Sequence, residues 1–267
     1  MIKALAVDLD DTLARDDHNI SKENIEAIHR LNEQGVMVII NSGRCEAAIR
    51  RHVEELELKD HMHVAINGAM ILDYKSNHRI VKPFRQSDYE YLVKRLKRQK
   101  REVMVYSEDN LIYEYAPNLY ETTGGYQGKH NVEKGDVLKV ENCPRLCTYH
   151  SDEDDLAYLR SICPKGYWTT ANSHVVDYMP NGVNKWTGLE EVLKQYGIDK
   201  KDVWCVGDQE SDLEMFKNCA KSFAVNNCDE LARKQADVVL PRSNMENGVA
   251  YLIYKYILED EEALKII

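Results

Sequence analysis

A doubly wound α/β fold with a parallel sheet, interrupted by an inserted α+β module, is what this sequence predicts. Three observations predict it. Short apolar runs alternate with helical patterns over the first third of the chain. The same alternation returns from residue 186 onward. Between these stretches the pattern changes to short runs separated by hairpin signals. Alternating strands and helices imply a parallel sheet joined by crossover helices. In such a sheet the ligand site lies off the carboxyl ends of the strands.

The elements follow in order. Residues 3–9 read as a strand. Ser21 caps a helix through Gln34, with apolar positions at Ile25, Ile28 and Leu31. The residue three after the cap is Asn24, so the start lacks a full capping box. Gly35 closes the helix. VMVII (36–40) is a continuous apolar run, as a strand buried on both faces requires. Ser42-Gly43 turns the chain into a helix that runs to Leu56. HVAI (63–66) is a strand ended by Asn67-Gly68, and a hairpin follows around Ser76-Asn77. A helix over 87–100 turns basic at its end (Lys94, Arg95, Lys97, Arg98, Lys100, then Arg101). This run reads as a solvated face, with nucleic-acid contact as the alternative. A hairpin around Asp109-Asn110, a glycine-rich loop at 122–128, a helix over 152–162 and VVDYM (175–179) complete the middle third. The last third alternates again: helix 186–196, strand 203–207, helix 211–219, strand 221–225, helix 228–235, strand 237–240 and a C-terminal helix. The expected boundaries are 1–83 and 179–267 for the α/β part and 84–178 for the insertion.

Composition narrows the partners. The net charge is -10, from 45 acidic and 35 basic residues, so no global basic field exists to attract nucleic acid or an anionic membrane. The seven cysteines form no CxxC pair and read as reduced thiols, with a zinc site at Cys143 and Cys147 as the sharper alternative. The first residues enter a strand without a leader pattern, and no apolar run is long enough to span a bilayer. The expectation is a soluble, cytoplasmic protein, monomeric or homodimeric.

Four segments at strand ends or helix starts carry candidate chemistry. LAVDLDDTL (5–13) ends an apolar run in Asp8 and Asp10, with Thr12 following. Two carboxylates at a buried strand tip are costly unless compensated. A hard divalent cation, which prefers oxygen ligands, compensates them. One carboxylate can then attack while the other shuttles protons. The plain alternative is an Asp-rich turn. Ser42-Gly43-Arg44 offers a hydroxyl and backbone N–H groups to a phosphoryl oxygen, or is an ordinary helix cap. Lys185 opens a helix after Asn181-Gly182-Val183-Asn184, and by itself also reads as a surface lysine. GDQESD (207–212) follows an apolar strand. It places Asp208 at the strand tip and Asp212 about one turn on, or is simply a capped helix start.

In this order the four segments resemble the haloacid dehalogenase (HAD) superfamily of aspartate-nucleophile phosphatases. More narrowly, the chain resembles the Cof-type sugar phosphatases with a large α+β cap (subfamily IIB). The likeness extends to Asn67-Gly68-Ala69, NGVNK (181–185), AVNNC (224–228) and NGVA (247–250). Residues 84–178 match by position and pattern rather than by particular residues. The resemblance implies a HAD-like, Rossmann-like core with an inserted cap. It also implies a magnesium-dependent phosphatase acting on a small phosphorylated metabolite, a sugar phosphate, through an aspartyl-phosphate. Asp8 would be the nucleophile and Asp10 the proton carrier. Mg2+ would be held by Asp8, Asp208 and the backbone carbonyl of Asp10, with Asp212 and Thr12 behind it. Ser42, Gly43 and Lys185 would bind the phosphoryl oxygens. The cap would set substrate choice, with Tyr126, Gln127, Asn172 and His174 as candidates, and would hinge near Pro83 and Pro180-Asn181-Gly182. Arg44 is either a substrate contact or a structural salt bridge. Three positions depart from the family pattern: Asp11, Ser211 and Asn226, the last beside Asn227. Two other readings stay open: a phosphomutase of the phosphomannomutase type, and a non-catalytic ligand-sensing protein.

Overall fold

Strand β1 (Ala4–Val7) is buried along its whole length, as an apolar run must be when both faces of its sheet are covered. It leads to α1 (Lys22–Glu33), β2 (Met37–Ile40), α2 (Glu46–Glu55) and β3 (Met62–Ala65). Ser21 caps α1 by accepting the Asn24 N–H, and Gly35 closes the helix at φ +80°. β3 folds back antiparallel onto β4 (Met70–Asp73), which pairs with β5 (His78–Val81). The computed structural model describes residues 2–107, 110–119, 131–163, 167–172 and 174–267.

The middle of the chain supplies α3 (Gln86–Arg98), β6 (Met104–Ser107), β7 (Asn110–Tyr113), β8 (Asn131–Lys134), β9 (Leu146–Tyr149), α4 (Glu153–Ser161), β10 (Tyr167–Asn172) and β11 (Val175–Met179). The remainder supplies α5 (Lys185–Tyr196), β12 (Val203–Gly207), α6 (Leu213–Asn218), β13 (Lys221–Ala224), α7 (Glu230–Gln235), β14 (Val238–Val239) and α8 (Gly248–Leu252). Several elements are shorter than their patterns suggest; the first strand keeps Ala4–Val7 of the expected 3–9. The helix expected from 211 begins at Leu213, because Asp212 turns back to accept the N–H groups of Asp208 and Gln209. The last strand keeps two residues, as suits an edge with one neighbour.

One sheet is wholly parallel, in the order β14-β13-β12-β1-β2. Alternate residues point to opposite faces of a strand. Leu5, Val7, Val38 and Ile40 therefore pack with Ile28, Leu31, Ile49 and Leu252 from α1, α2 and α8. Ala4, Ala6, Ile39 and Cys205 pack with Leu189, Val192, Met215 and Phe216 from α5 and α6. Helices on both faces make the sheet doubly wound. A single parallel bridge, Asn41 to Val64, joins β3 to its edge.

A second sheet runs β10-β11-β9-β6-β7-β8, antiparallel except for the β7–β8 pair. Val105, Leu146, Val176 and Tyr178 from its strands pack with Tyr89, Leu92, Val93 and Leu96 of α3 and with Leu156 and Leu159 of α4. The basic end of α3 is a solvated face: Lys94 pairs with Glu90, Lys97 with Glu114, and Arg101 with Asp155. Cys143 and Cys147 turn their thiols to the Arg145 carbonyl and the Asp177 carboxylate. Among the described residues, no helix is long and apolar enough to cross a membrane.

Two glycines set how closely the β3–β4 turn approaches α5. A Cβ on Gly68 would lie 2.0 Å from the Asn184 carbonyl oxygen, and one on Gly188 would lie 2.7 Å from the Gly68 Cα. Gly68 also has φ +96°. Gly35 shares the left-handed backbone but has nothing within 4 Å of where its Cβ would be. Gly35→Ala is therefore expected to cost about 1 kcal/mol, the conformational term alone. Gly68→Ala should cost about 3 kcal/mol or more, because backbone must move. Urea denaturation of the two variants compares them, and equal losses would refute the packing argument.

Candidate active site

The carboxyl ends of β1, β2 and β12 lie side by side, because β1 pairs with both of the others. Each strand hands on a polar residue there. Asp8 keeps the β1 register one step further, its N–H donating to the Val206 carbonyl at 3.0 Å. The chain then turns sharply at Leu9–Leu13, with Asp11 at φ +55°, a conformation Asp tolerates better than most residues. Asn227 and Asn244 pin this turn: their side-chain amides donate to the carbonyls of Asp11 (2.7 Å) and Ala14 (3.1 Å). Asn227, beside the departing Asn226, thus holds the loop that carries the carboxylates.

Lys185 is the first residue of α5. Asn184 and Thr187 form a reciprocal capping box around it, and the Asn41 amide donates to the Lys185 carbonyl at 2.9 Å. The ammonium therefore has a fixed origin. Its Nζ lies 2.6 Å from Asp8 Oδ1 and 2.7 Å from Asp212 Oδ1. The other Asp212 oxygen accepts the Asp208 and Gln209 N–H groups at 3.0 and 3.1 Å. A Cβ on Gly207 would fall 2.3 Å from the Asp212 carboxyl carbon, so the glycine makes room for that carboxylate. Asp208 accepts the Thr12 hydroxyl at 2.8 Å.

Asp8, Asp208 and Asp212 each offer an oxygen within 4.8 Å of the others, and all three are buried. Burial pushes the Asp8 carboxyl up to about 7; Lys185 opposes the shift, and Asp212 and Asp10 add to it. Burial likewise raises Asp208 well above its ordinary value, reinforced by Asp8 and Asp212. Burial pulls Lys185 down, but Asp212 and Asp8 outweigh it and hold the amine well above its usual range. Three carboxylates against one ammonium leave excess negative charge in a low-dielectric site. An oxygen-only donor set of this kind fits a hard cation such as Mg2+.

Asp10 is not a side-chain member of this cluster. Its carboxylate takes the Arg44 guanidinium through Nε, at 2.8 and 3.0 Å, and through Nη2. Arg44 thus makes a salt bridge to Asp10. Its Nη1 reaches His52 Nε2 at 3.3 Å and its Nη2 reaches His18 Nδ1 at 3.1 Å. Burial, with Arg44 and Arg51, lowers His52 to about 4, so its ring is neutral near pH 7 and can accept from the guanidinium. Sequence reasoning missed both histidines. His52 lies two turns along α2 on the Arg44 side, a faint helical signal; His18 has none.

Ser42 is fully buried, and its Oγ accepts the Arg44 N–H at 3.1 Å. That bond uses an oxygen lone pair and leaves the O–H able to donate. Of the cap candidates, His174 is exposed, its ring 5.5 Å from that of Tyr149 and 5.8 Å from that of His150. Tyr126, Gln127 and the Asn172 side chain lie outside the described residues.

Residues 5–253 match the model of a family described as haloacid dehalogenase-like hydrolase. The chain is 28% identical to a Bacillus subtilis 5-amino-6-(5-phospho-D-ribitylamino)uracil phosphatase, over 94% of this chain and 97% of that protein. It is 24% identical to a Saccharolobus solfataricus phosphoglycolate phosphatase, over 99% and 100%. Its fold is similar to that of a HAD subclass IIB sugar phosphatase (TM-score 0.85, 19% identity, 95% and 98% coverage). It is also similar to that of a haloacid dehalogenase-like hydrolase from Bacteroides thetaiotaomicron (TM-score 0.82, 22% identity, 96% and 99% coverage).

The raised Asp8 carboxyl has a consequence for stability. Unfolded, the group releases its proton near 3.8; folded, near 7. Between those values the folded state binds the extra proton, so stability falls as pH rises through that window. A cation that binds the folded carboxylates restores stability, and more so where they are ionised. Melting of the metal-free protein is expected to weaken from pH 4.5 to 7, and added Mg2+ should raise the midpoint more at pH 7.5 than at pH 5. An equal Mg2+ effect at both values would contradict the cluster's role.

Proposed function

We propose, from the premise that this chain belongs to the haloacid dehalogenase-like hydrolase family, a mechanism and a substrate class for it. The protein is a phosphatase of that family, a phosphomonoesterase. In this reading residues 84–178 form the substrate-facing cap, and 1–83 with 179–267 form the catalytic core. One observation carries the reading: the Lys185 ammonium bridges Asp8 and Asp212 while Asp208 completes a buried acidic trio.

Asp8 attacks phosphorus. Its oxygen–phosphorus bond forms as the bond to the leaving alcohol breaks, and Asp10 gives that alcohol its proton. Asp10 then accepts a proton from water, whose oxygen displaces Asp8 and releases free phosphate. Lys185 offsets the charge of Asp8 and, with the Ser42 hydroxyl and the Gly43 amide, binds phosphoryl oxygens. Arg44 fixes the direction of the Asp10 carboxylate. Asp8, Asp208 and the Asp10 backbone carbonyl would hold Mg2+, with Asp212 and Thr12 behind it, and the ion supplies charge neutralisation at the phosphoryl group. Positioning and charge neutralisation carry most of such a reaction.

The substrate is a small phosphorylated metabolite, a sugar phosphate or phosphorylated sugar alcohol. The ribityl phosphate ester in the name of the Bacillus subtilis relative supports this class, as does the likeness in fold to a sugar phosphatase. A panel of such esters assayed with Mg2+ is expected to yield free phosphate, and EDTA should abolish turnover. Asp8→Asn should lower kcat by about a thousandfold, and acid-quenched wild-type enzyme, but not this variant, should retain radiolabelled phosphate. Undiminished turnover in Asp8→Asn would sink the mechanism.

A further inference from the structure

The cap sheet touches the core through a buried arginine. Arg145 immediately precedes β9, and its side chain is 3% exposed. Its Nη1 donates to the carbonyl oxygen of Gly43 at 2.8 Å. Its Nε lies 2.8 Å from Oδ1 of Asp177, itself 1% exposed on β11. The guanidinium rests 4.6 Å from the centroid of the Tyr106 ring, and the Cys147 thiol donates to the same Asp177 oxygen at 3.1 Å. Asp177, Tyr106 and Cys147 all belong to the cap strands. Among the described hydrogen bonds, Gly43 is the one partner Arg145 has in the core.

A buried ion pair is weak evidence for stability, since apolar residues seal an interior as well or better. What the pair adds is direction. A planar guanidinium can rest one edge on a carboxylate while its remaining N–H groups aim elsewhere. Here the aim is at Gly43, between the two residues of the turn that the chemistry uses. The Arg44 N–H bonds the Ser42 hydroxyl oxygen at 3.1 Å, and the Arg44 side chain grips Asp10. The turn is tightly bounded on its other side: a Cβ on Gly43 would lie 3.0 Å from Asn67 Oδ1.

We propose that Arg145 is a positioning residue for phosphoryl transfer. By holding the Gly43 carbonyl, it sets the Ser42–Arg44 turn, and through Arg44 the direction of Asp10, while the cap lies on the core. The contact makes the proton carrier's alignment depend on cap closure. The inference rests on the reading of Asp8 and Asp10 given above.

The test measures kcat and KM of the Mg2+-loaded enzyme on its best panel substrate for Arg145→Met, Arg145→Lys, Arg44→Met and the Arg145→Met/Arg44→Met double variant. Arg145→Met is expected to lower kcat about tenfold with KM changed about twofold or less. Lysine, which can still donate to Gly43, should recover most of the loss. In the Arg44→Met background the Arg145→Met loss should shrink to about twofold, because both act through one turn. Arg145→Met leaves the Asp177 carboxylate buried and unpaired, so Arg145→Met/Asp177→Leu is measured beside it, with thermal melting as the check on folding. This paired variant should show the same kcat loss. A kcat loss below about threefold in the folded variants, no recovery with lysine, or losses that multiply in the double variant would each overturn the proposal. Asp8→Asn separates the two readings. If it retains turnover, the phosphatase mechanism falls; if it is inactive while Arg145→Met matches wild type, only the role of Arg145 falls.

Discussion

The structure depends on one arrangement: a lysine ammonium between two buried aspartates, with a third carboxylate beside them. Lys185, Asp8, Asp208 and Asp212 are nearly or fully removed from solvent. Charges so placed are costly unless they meet at close range with their remaining lone pairs satisfied. Here the remaining partners are present: two backbone N–H groups on Asp212 and a hydroxyl on Asp208. The raised Asp8 carboxyl is the residual cost of this arrangement: burial works against its charge more than Lys185 supports it.

Backbone proximity makes the arrangement possible. Gly207 leaves space for the Asp212 carboxylate, and Gly68 and Gly188 let the β3–β4 turn press against the start of α5. Asn41, at the tip of β2, ties the Lys185 carbonyl to the sheet. Each contact fixes where a charged side chain begins. A long lysine side chain loses little further freedom when its root and its two acceptors are all held.

A second polar network surrounds Asp10. Arg44 takes its carboxylate, a neutral His52 accepts from Arg44, and His18 lies against the same guanidinium. The two carboxylates at the strand tip are thus held apart by different partners, one by lysine and one by arginine. Separate environments are what distinct catalytic roles require. The cap meets this network through the Gly43 carbonyl and meets the acidic loop through the Arg160–Glu210 pair at 3.9 Å.

By itself the sequence determined what depends on neighbours a few residues away. Continuous apolar runs are buried parallel strands because both sides of the sheet are covered, and Ser21 is a cap because local N–H groups need acceptors. It also placed Asp8, Asp10, Ser42, Lys185 and Asp208 at strand tips or helix starts, where a doubly wound sheet gathers its ligand site. Tertiary structure made the pairings. Lys185 meets Asp8 across 177 positions, and Thr12 meets Asp208 across 196. Arg44 became the partner of Asp10, Asn227 a brace for the first turn, and Arg145 a contact from cap to core. Periodicity and capping act over one or two turns, whereas these partners are set by the order of strands in the sheet and by how closely glycines let the backbones approach.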